Sequence, residues 1–332
     1  MKFGIEFVPE EKIEKIVNYT VLAEEQGFSN VWITDHYNNN NCYVTLGAIA
    51  QKTDVIRLGP GVTNPYLIHP ASTASAIASL SELSGDRAVL GIGAGDKMTL
   101  EALGVSWDRP LTSVIEAVSV IKALLSGKRL KKYEGKAFKI ASAKVNVVDK
   151  KNPPNVPIYI GAQGPKMLAA AASHGEGVLI NASHPRDFES ARSNIQKGLD
   201  NSGRSVADLD VTAYVSFSVH EKEEKARKQA KIVVAFIVAG SPPPVLERHG
   251  IDISAAKTLG GMIGNGQWKE LTESVTDEMI DAFAVAGTPD TCIKRIQELS
   301  ETGVTQFVTG SPLGKDKEEA IKLIGKEIIP TF

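Results

Sequence analysis

The chain of 332 residues contains only two cysteines, Cys42 and Cys292, and they lie far apart in the sequence. A disulfide framework needs more cysteines, and a zinc site needs cysteines or histidines at short fixed spacings. The six histidines show no such spacing. We therefore expect both cysteines to be reduced and buried, and we expect no metal site.

An excess of charge of one sign is also absent, because 37 Lys and Arg residues face 39 Asp and Glu residues. A nucleic-acid-binding surface normally needs a basic excess, so we expect no nucleic-acid partner. No apolar run approaches the roughly 20 residues that span a bilayer, and the longest, residues 232–239, ends at a glycine. The N-terminus opens on a strand-like pattern without a signal-peptide core. These features predict a soluble cytoplasmic protein with no membrane partner.

Short β-rich runs alternate with longer amphipathic runs along the whole chain. Strands are predicted at residues 2–7, 30–34, 57–62, 88–93, 157–161, 177–180, 210–219 and 306–309. A helical period predicts helices at residues 11–26, 70–83 and 111–125. This alternation predicts parallel strands joined by right-handed crossovers. Eight such strands favour an α/β fold, the (β/α)8 TIM barrel, as a single domain over residues 1–332, although length alone would also fit two domains.

Two connections are longer than a barrel needs, and we interpret them as insertions after strands 4 and 7. The first, residues 95–155, holds one helix and a strand-like segment at 133–148. The second, residues 220–305, holds three consecutive prolines from Pro242 and a glycine-rich run at 260–266. Long connections are uncommon unless they are functional, so residues 242–266 are candidates to cover the barrel mouth.

Barrels of this class place their chemistry at the carboxyl ends of the strands. In the first strand, alternation directs Phe3, Ile5 and Phe7 toward the helices and Glu6 into the barrel interior. An interior carboxylate is costly unless it is paired or used. Glu6 is therefore either a member of a structural ion pair or an acid or base, because burial raises the pKa of a carboxyl group toward the useful range.

Polar side chains follow several other strands. Asp35 and His36 follow the second strand, where they can orient a ligand, exchange a proton or cap the next helix. Asp96 follows the fourth strand, and Asn181 follows the sixth. All four are expected at the barrel mouth.

Glycines mark three strand ends. Gly59 and Gly61 flank Pro60, which indicates either a close ligand approach or an ordinary turn. The fourth strand reads Gly-x-Gly-x-Gly and does not match the dinucleotide-binding fingerprint. After the fifth strand, residues 161–164 precede a helix at 166–173. They can offer backbone N–H groups to a phosphate or form a simple turn.

Several segments together resemble the bacterial-luciferase-like superfamily. They are residues 84–95, 157–162, 175–178 and 286–290, which match its strand and turn signatures. Within it, Thr34-Asp35-His36 resembles the branch that uses the deazaflavin coenzyme F420. Residues 3–7 and 59–66 look most like the methylenetetrahydromethanopterin reductases of methanogenic archaea.

The resemblance implies a coenzyme site. It implies a non-prolyl cis peptide at Gly61-Val62 that supports the deazaflavin ring, with the ring contacted from Asp35, His36, Thr63 and Asn64. It implies that the coenzyme phosphate lies over the loop and helix start formed by Gly161, Ala162, Gln163, Gly164, Lys166 and Met167. Some relatives have two glycines where this chain has Gln163-Gly164.

The resemblance also implies an activity. This is reversible hydride transfer from reduced coenzyme F420 to 5,10-methylenetetrahydromethanopterin. For that reaction we assign Glu6 as the proton donor, because its interior position raises its pKa, and Asp96 is a second candidate. Asn181 is expected to contact the pterin substrate, and a homodimer or homotetramer is expected by analogy. The alternatives are an F420-dependent alcohol or sugar-phosphate dehydrogenase, a flavin-dependent monooxygenase, and a coenzyme-binding barrel without turnover.

Overall fold

A closed parallel barrel forms the centre of the computed structural model, which describes all 332 residues. Eleven strands occur, and they are β1 (Lys2–Phe7), β2 (Asn30–Ile33), β3 (Arg57–Pro60), β4 (Leu90–Ile92), β5 (Leu130–Glu134), β6 (Lys139–Ala143), β7 (Ile158–Gly161), β8 (Gly177–Ile180), β9 (Asp210–Val219), β10 (Val285–Gly287) and β11 (Gln306–Leu313). Eight of them pair in the order β3-β2-β1-β11-β9-β8-β7-β4. The predicted TIM barrel is therefore confirmed.

Fourteen α-helices accompany the strands. They are α1 (Ile13–Glu25), α2 (Cys42–Ala50), α3 (Pro70–Ser84), α4 (Lys97–Ala102), α5 (Pro110–Leu125), α6 (Pro165–His174), α7 (Pro185–Ser202), α8 (Glu223–Gly240), α9 (Pro243–Arg248), α10 (Ile253–Gly264), α11 (Trp268–Ser274), α12 (Asp277–Phe283), α13 (Pro289–Glu301) and α14 (Lys317–Leu323). Proline begins several of these helices, where its missing N–H costs nothing. None of the helices combines the length and the apolar character that crossing a membrane requires.

The barrel closes at a narrow seam between β3 and β4. These two strands share no continuous ladder, and only two isolated bridges join their surroundings, Leu58 with Ala88 and Thr63 with Ile92. The predicted fourth strand, residues 88–93, is therefore wrong in its bounds, because only Leu90–Ile92 pair regularly with β7. Close contact at this seam depends on glycine. A Cβ atom on Gly59 would overlap the carbonyl oxygen of Val89 and lie 2.8 Å from its carbonyl carbon.

Side-chain alternation divides the core into two layers. A cluster of 63 buried residues fills the space between the barrel and its helices, and it includes Phe3, Ile5 and Phe7 as predicted. A much smaller cluster fills the barrel interior around the fully buried Trp32. The Trp32 indole N–H donates to the side-chain oxygen of Gln306 at 3.3 Å. The lower interior is thus filled by side chains, which leaves open space only toward the carboxyl ends of the strands.

The two longest connections between barrel strands carry extra elements. Between β4 and β7 lie α4, α5 and the antiparallel β5–β6 hairpin, so the strand-like segment predicted at 133–148 is in fact a hairpin over 130–143. Between β9 and β11 lie α8 to α13 and β10, which pairs with β9. A second core cluster of 16 buried residues packs α8 against α10, α11 and α12.

Replacement of Gly59 by alanine tests the importance of the seam. We expect Gly59→Ala to lower the free energy of unfolding by about 1–3 kcal/mol or more, because the new methyl group overlaps backbone atoms that cannot move aside easily. Thermal unfolding followed by circular dichroism measures the effect. The control is Gly264→Ala in α10, where an added Cβ meets no atom within 4 Å. Equal melting temperatures for the two variants would contradict this view of barrel closure.

Candidate active site

A cavity of about 660 Å³ opens at the carboxyl ends of β2, β3, β4, β7 and β8. Most residues predicted from the strand ends or from the family resemblance line it, namely Asp35, His36, Gly61, Val62, Asn64, Asp96, Gly161, Ala162, Gln163, Gly164, Met167 and Asn181. These residues come from five different connections and meet only because parallel strands end at one face of the barrel.

Three predicted residues do not line the cavity. Thr63 is fully buried beside Asp35, and Lys166 is exposed on the first turn of α6. Glu6 is enclosed in the barrel interior next to the cavity and is only 7% exposed. The cavity floor contains Tyr214, which is not among the residues predicted from the sequence. The alternation of polar and apolar residues along β9 was a usable signal for Tyr214.

Glycine allows the cavity floor to lie directly against the barrel interior. The Gly61-Val62 peptide bond is cis, at the position that the family resemblance implied. A Cβ atom on Gly61 would lie 2.7 Å from Cβ of Trp32 and 2.8 Å from the Tyr214 hydroxyl oxygen. The Tyr214 hydroxyl donates to the carbonyl oxygen of Gly61 at 3.1 Å. The residue at position 61 must therefore be glycine, and its carbonyl group is fixed from below by Tyr214.

The start of α6 offers unpaired backbone donors to one side of the cavity. Gly164 precedes the helix, Pro165 is its first residue, and no side chain caps its first turn. The first turn of a helix carries N–H groups without an intrahelical acceptor, and they favour an anion such as phosphate. An added Cβ on Gly164 would meet no atom within 4 Å, so this edge of the cavity is open. The preceding side chain, Gln163, donates from its amide to the Asn181 carbonyl oxygen at 3.2 Å.

Glu6 is held without a cation. Its Oε2 atom accepts a hydrogen bond from the Ser311 backbone N–H at 3.1 Å, and no Lys, Arg or His forms an ion pair with it. Lys317 pairs with Glu11 instead. Burial raises the pKa of Glu6 to about 7, although the hydrogen bonds from Ser311 and the charge of Lys317 act in the opposite direction. The prediction that Glu6 belongs to a structural ion pair is therefore wrong. The other alternative, a carboxyl group with a pKa near neutral, agrees with the structure.

Space for the Glu6 carboxyl group comes from a missing side chain. A Cβ atom on Gly310 would lie 2.6 Å from Oε2 of Glu6. Gly310 belongs to β11, the neighbour of β1 in the barrel. The absence of a side chain at 310 thus lets a carboxyl group occupy the interior layer above Val308.

Asp35 and His36 do not cap the following helix. Asn41 caps α2, because its Oδ1 atom accepts from the Val44 N–H at 3.1 Å. The capping alternative for Asp35 and His36 is therefore wrong, and both line the cavity. Burial raises the pKa of Asp35, and contacts with Thr63 and His36 offset part of that effect.

Asp96 both lines the cavity and caps a helix. It lines the cavity at an exposed point of the rim, and its Oδ2 atom also accepts from the Thr99 N–H at 2.7 Å, which caps α4. Trp107, from the same connection, lines the cavity and donates from its indole N–H to the Ala94 carbonyl oxygen at 2.8 Å. No sequence pattern pointed to Trp107, because an irregular connection alone brings it to the cavity.

Comparisons with known proteins find similarity along nearly the whole chain. The family model described as luciferase-like monooxygenase matches residues 1–306. The chain is 56% identical to a 5,10-methylenetetrahydromethanopterin reductase of Archaeoglobus fulgidus, with 99% of each chain covered. It is 53% identical to a reductase of the same name from Methanolobus tindarius, with 99% of this chain and 100% of the relative covered.

A solved structure is similar over the whole chain. It is the coenzyme F420 dependent tetrahydromethanopterin reductase from Methanopyrus kandleri, at a TM-score of 0.95 and 45% sequence identity. The similarity covers 100% of this chain and 99% of that one.

The raised pKa of Glu6 predicts a dependence of stability on pH. The folded chain keeps a proton on Glu6 that the unfolded chain releases above its ordinary pKa of 4.5, so wild-type stability falls as pH rises from about 4.5 to about 7. Glu6→Gln removes this contribution. We expect the free energy of unfolding of the variant, minus that of the wild type, to increase by up to about 3 kcal/mol between pH 4.5 and pH 8.

Urea unfolding at intervals between pH 4.5 and 8 measures this difference. The control is Glu10→Gln, which changes an exposed carboxylate near the same strand. The assignment is contradicted if the stability difference between Glu6→Gln and wild type does not change with pH.

Proposed function

Because the chain belongs to the luciferase-like monooxygenase family and matches reductases within it along its full length, we propose that it is an F420-dependent oxidoreductase. The reaction is reversible hydride transfer from reduced coenzyme F420 to 5,10-methylenetetrahydromethanopterin, which yields the 5-methyl form. The observation that carries this proposal is the identity of 45–56% over the whole chain to proteins named for that reaction. The alternative dehydrogenases and monooxygenases lack similarity of this extent.

The residues of the cavity fit such a coenzyme. The uncapped start of α6 and the open edge at Gly164 suit a phosphate group, which backbone N–H groups bind without a basic surface. This agrees with a chain whose formal net charge is only −2. Residues 161–164, Lys166 and Met167 would hold the phosphate end. When it is bound, reduced F420 supplies the hydride.

The cavity floor and the carboxyl ends of β2 and β3 would hold the deazaflavin ring of the coenzyme. Gly61 gives the floor a surface without a side chain, Val62 lines the cavity next to it, and the following Thr63 is fully buried. Asn64 uses its Oδ1 atom to accept from the N–H groups of Tyr66 and Leu67 at 3.1 and 3.0 Å. Asn64, Asp35 and His36 all line the cavity, where their polar groups would contact the ring edge.

Glu6 is the proton donor in this proposal. Reduction of the methylene carbon opens the bridge between two nitrogens of the pterin, and the nitrogen that leaves the carbon needs a proton. Glu6 holds one near neutral pH because the barrel interior disfavours its ionised form. It lies beside Tyr214, which lines the cavity. Asp96 is the second candidate, and from the rim it would also stabilise a cationic substrate carbon.

The remaining parts of the proposal concern the pterin and the assembly. Asn181 is placed at the cavity rim by the end of β8, where it would contact the pterin substrate. We propose one domain over residues 1–332, a homodimer or homotetramer, and a cytoplasmic location without metal, nucleic-acid or membrane partners.

Absorbance of coenzyme F420 under anaerobic conditions tests the function. We expect reduced F420 to be oxidised when methylenetetrahydromethanopterin is added, with stoichiometric formation of the methyl product. Secondary alcohols, sugar phosphates and a flavin with oxygen serve as competing assays on the same sample. Absence of any absorbance change with the pterin, or turnover with one of the other substrates alone, would reject the proposal.

Kinetics of Glu6→Gln test the role of the carboxyl group. The amide keeps the shape of the side chain and cannot donate an acidic proton, so we expect kcat to fall by roughly 10²–10⁴-fold. The Kd for F420, measured by fluorescence, should change little because Glu6 does not line the cavity. Asp96→Asn, which keeps the cap of α4, is the comparison for the second carboxylate. Near-normal kcat in Glu6→Gln would overturn the assignment.

A further inference from the structure

A second cavity of about 260 Å³ adjoins the first. The two share Gln163 and Asn181 as lining residues, and the hydrogen bond between these residues lies at the boundary. One wall comes from the start of α6 and one face of α7, and the other comes from the end of α8 and from α9. The start of α6 therefore borders both cavities.

The second cavity contains one arginine, Arg248, whose guanidinium group makes a single hydrogen-bonded contact within the chain. Arg248 donates from Nη1 to Oδ1 of the buried Asp187 at 2.6 Å, and its remaining guanidinium N–H groups have no acceptor in the chain. Its side chain is 31% exposed, and it lines the cavity. A guanidinium group held on one side and free on the other can bind a carboxylate or phosphate with two parallel hydrogen bonds.

The single carboxylate of the cavity is already satisfied. Asp187 also contacts Nε2 of His249 at 3.0 and 3.1 Å. Burial alone would raise the pKa of Asp187, but the hydrogen bonds from His249 and Arg248 outweigh burial and lower it. Asp187 thus stays ionised and positions Arg248, and an incoming anion would not have to displace it.

Neutral polar groups complete the lining. Ser190 and Asn194 lie on the same face of α7 as Asp187, at spacings of three or four residues, and their side chains make no hydrogen bond within the chain. Phe236 and Phe283 supply apolar surface on the opposite wall. One oriented cation, unpaired neutral polar side chains and no free carboxylate together suit an anionic group that has apolar atoms beside it.

We propose that the second cavity binds the anionic tail, phosphate or carboxylate, of a ligand whose ring occupies the first cavity. The inference rests on the proposed function, in which the coenzyme and the pterin both carry such a tail. The shared chemistry is an anionic oxygen group on Arg248, with Ser190 and Asn194 as further partners. Either the tail of the coenzyme or the tail of the pterin could supply this anionic group, and the experiment below distinguishes the two.

Arg248→Met tests the proposal directly. Because a charge-assisted hydrogen-bonded pair is lost, we expect binding of the tailed ligand to weaken about tenfold or more. The coenzyme arm compares the fluorescence Kd of F420 with that of the deazaflavin riboside, which lacks the phosphate and carboxylates. The pterin arm compares the KM of the full substrate with that of a pterin truncated before its tail. Arg192→Met, an exposed arginine of α7 outside both cavities, is the matched control.

Arg248→Met removes one of the two partners of the buried Asp187 and could prevent folding, so a second variant is needed. Asn194→Asp adds a carboxylate to the cavity wall, and Ser193→Asp adds one at an exposed position of α7 that does not line it. We expect only Asn194→Asp to weaken binding of the tailed ligand, by a similar factor.

The outcomes are distinct. Weaker binding of tailed F420 alone assigns the second cavity to the coenzyme, and weaker binding of the tailed pterin alone assigns it to the substrate. Unchanged binding of both, or equal loss for tailed and truncated ligands, overturns the proposal. Turnover of the wild-type enzyme reports separately on the proposed function, so failure of one inference is not mistaken for failure of the other.

Discussion

Enclosure of one carboxyl group by the barrel interior is the constraint on which the proposed chemistry depends. Glu6 points inward because Phe3, Ile5 and Phe7 must point outward to the helices, and the pleat of a strand allows no other arrangement. The neighbouring strand leaves room for it with Gly310. No cation neutralises the group, and only Ser311 supports it, so burial favours the protonated acid near neutral pH. The fold itself thus maintains an acid beside the cavity.

The cavity above this acid is built from strand ends that are distant in sequence. Its floor depends on close contact between Gly61, Trp32 and Tyr214, and the edge that we propose for a phosphate group depends on an uncapped helix after β7. These two features need no basic surface and no metal ligand. The near-neutral composition of the chain is therefore compatible with an anionic coenzyme, because backbone donors act locally.

Residues within or directly after strands were predictable from the sequence, and residues in long connections were not. Alternation placed Glu6 in the barrel interior, and the strand-end rule placed Asp35, Asp96 and Asn181 at the cavity. Alternation would also have found Tyr214 on β9. By contrast, Trp107 and Arg248 belong to connections whose course depends on tertiary packing. The periodicity of polar and apolar residues does not predict that course. The bounds of β4 were wrong for a similar reason, since the seam with β3 is made by isolated bridges rather than by a regular ladder.

Infrared difference spectroscopy of the wild type against Glu6→Gln tests the central claim most directly, because a protonated carboxyl group has its own C=O stretching band. The structure predicts that this band is present in the wild type at pH 5 to 6 and disappears with a midpoint near pH 7. A midpoint near the ordinary value of 4.5 would show that the barrel interior does not hold the proton on Glu6. The proposed proton donor would then have to be sought elsewhere.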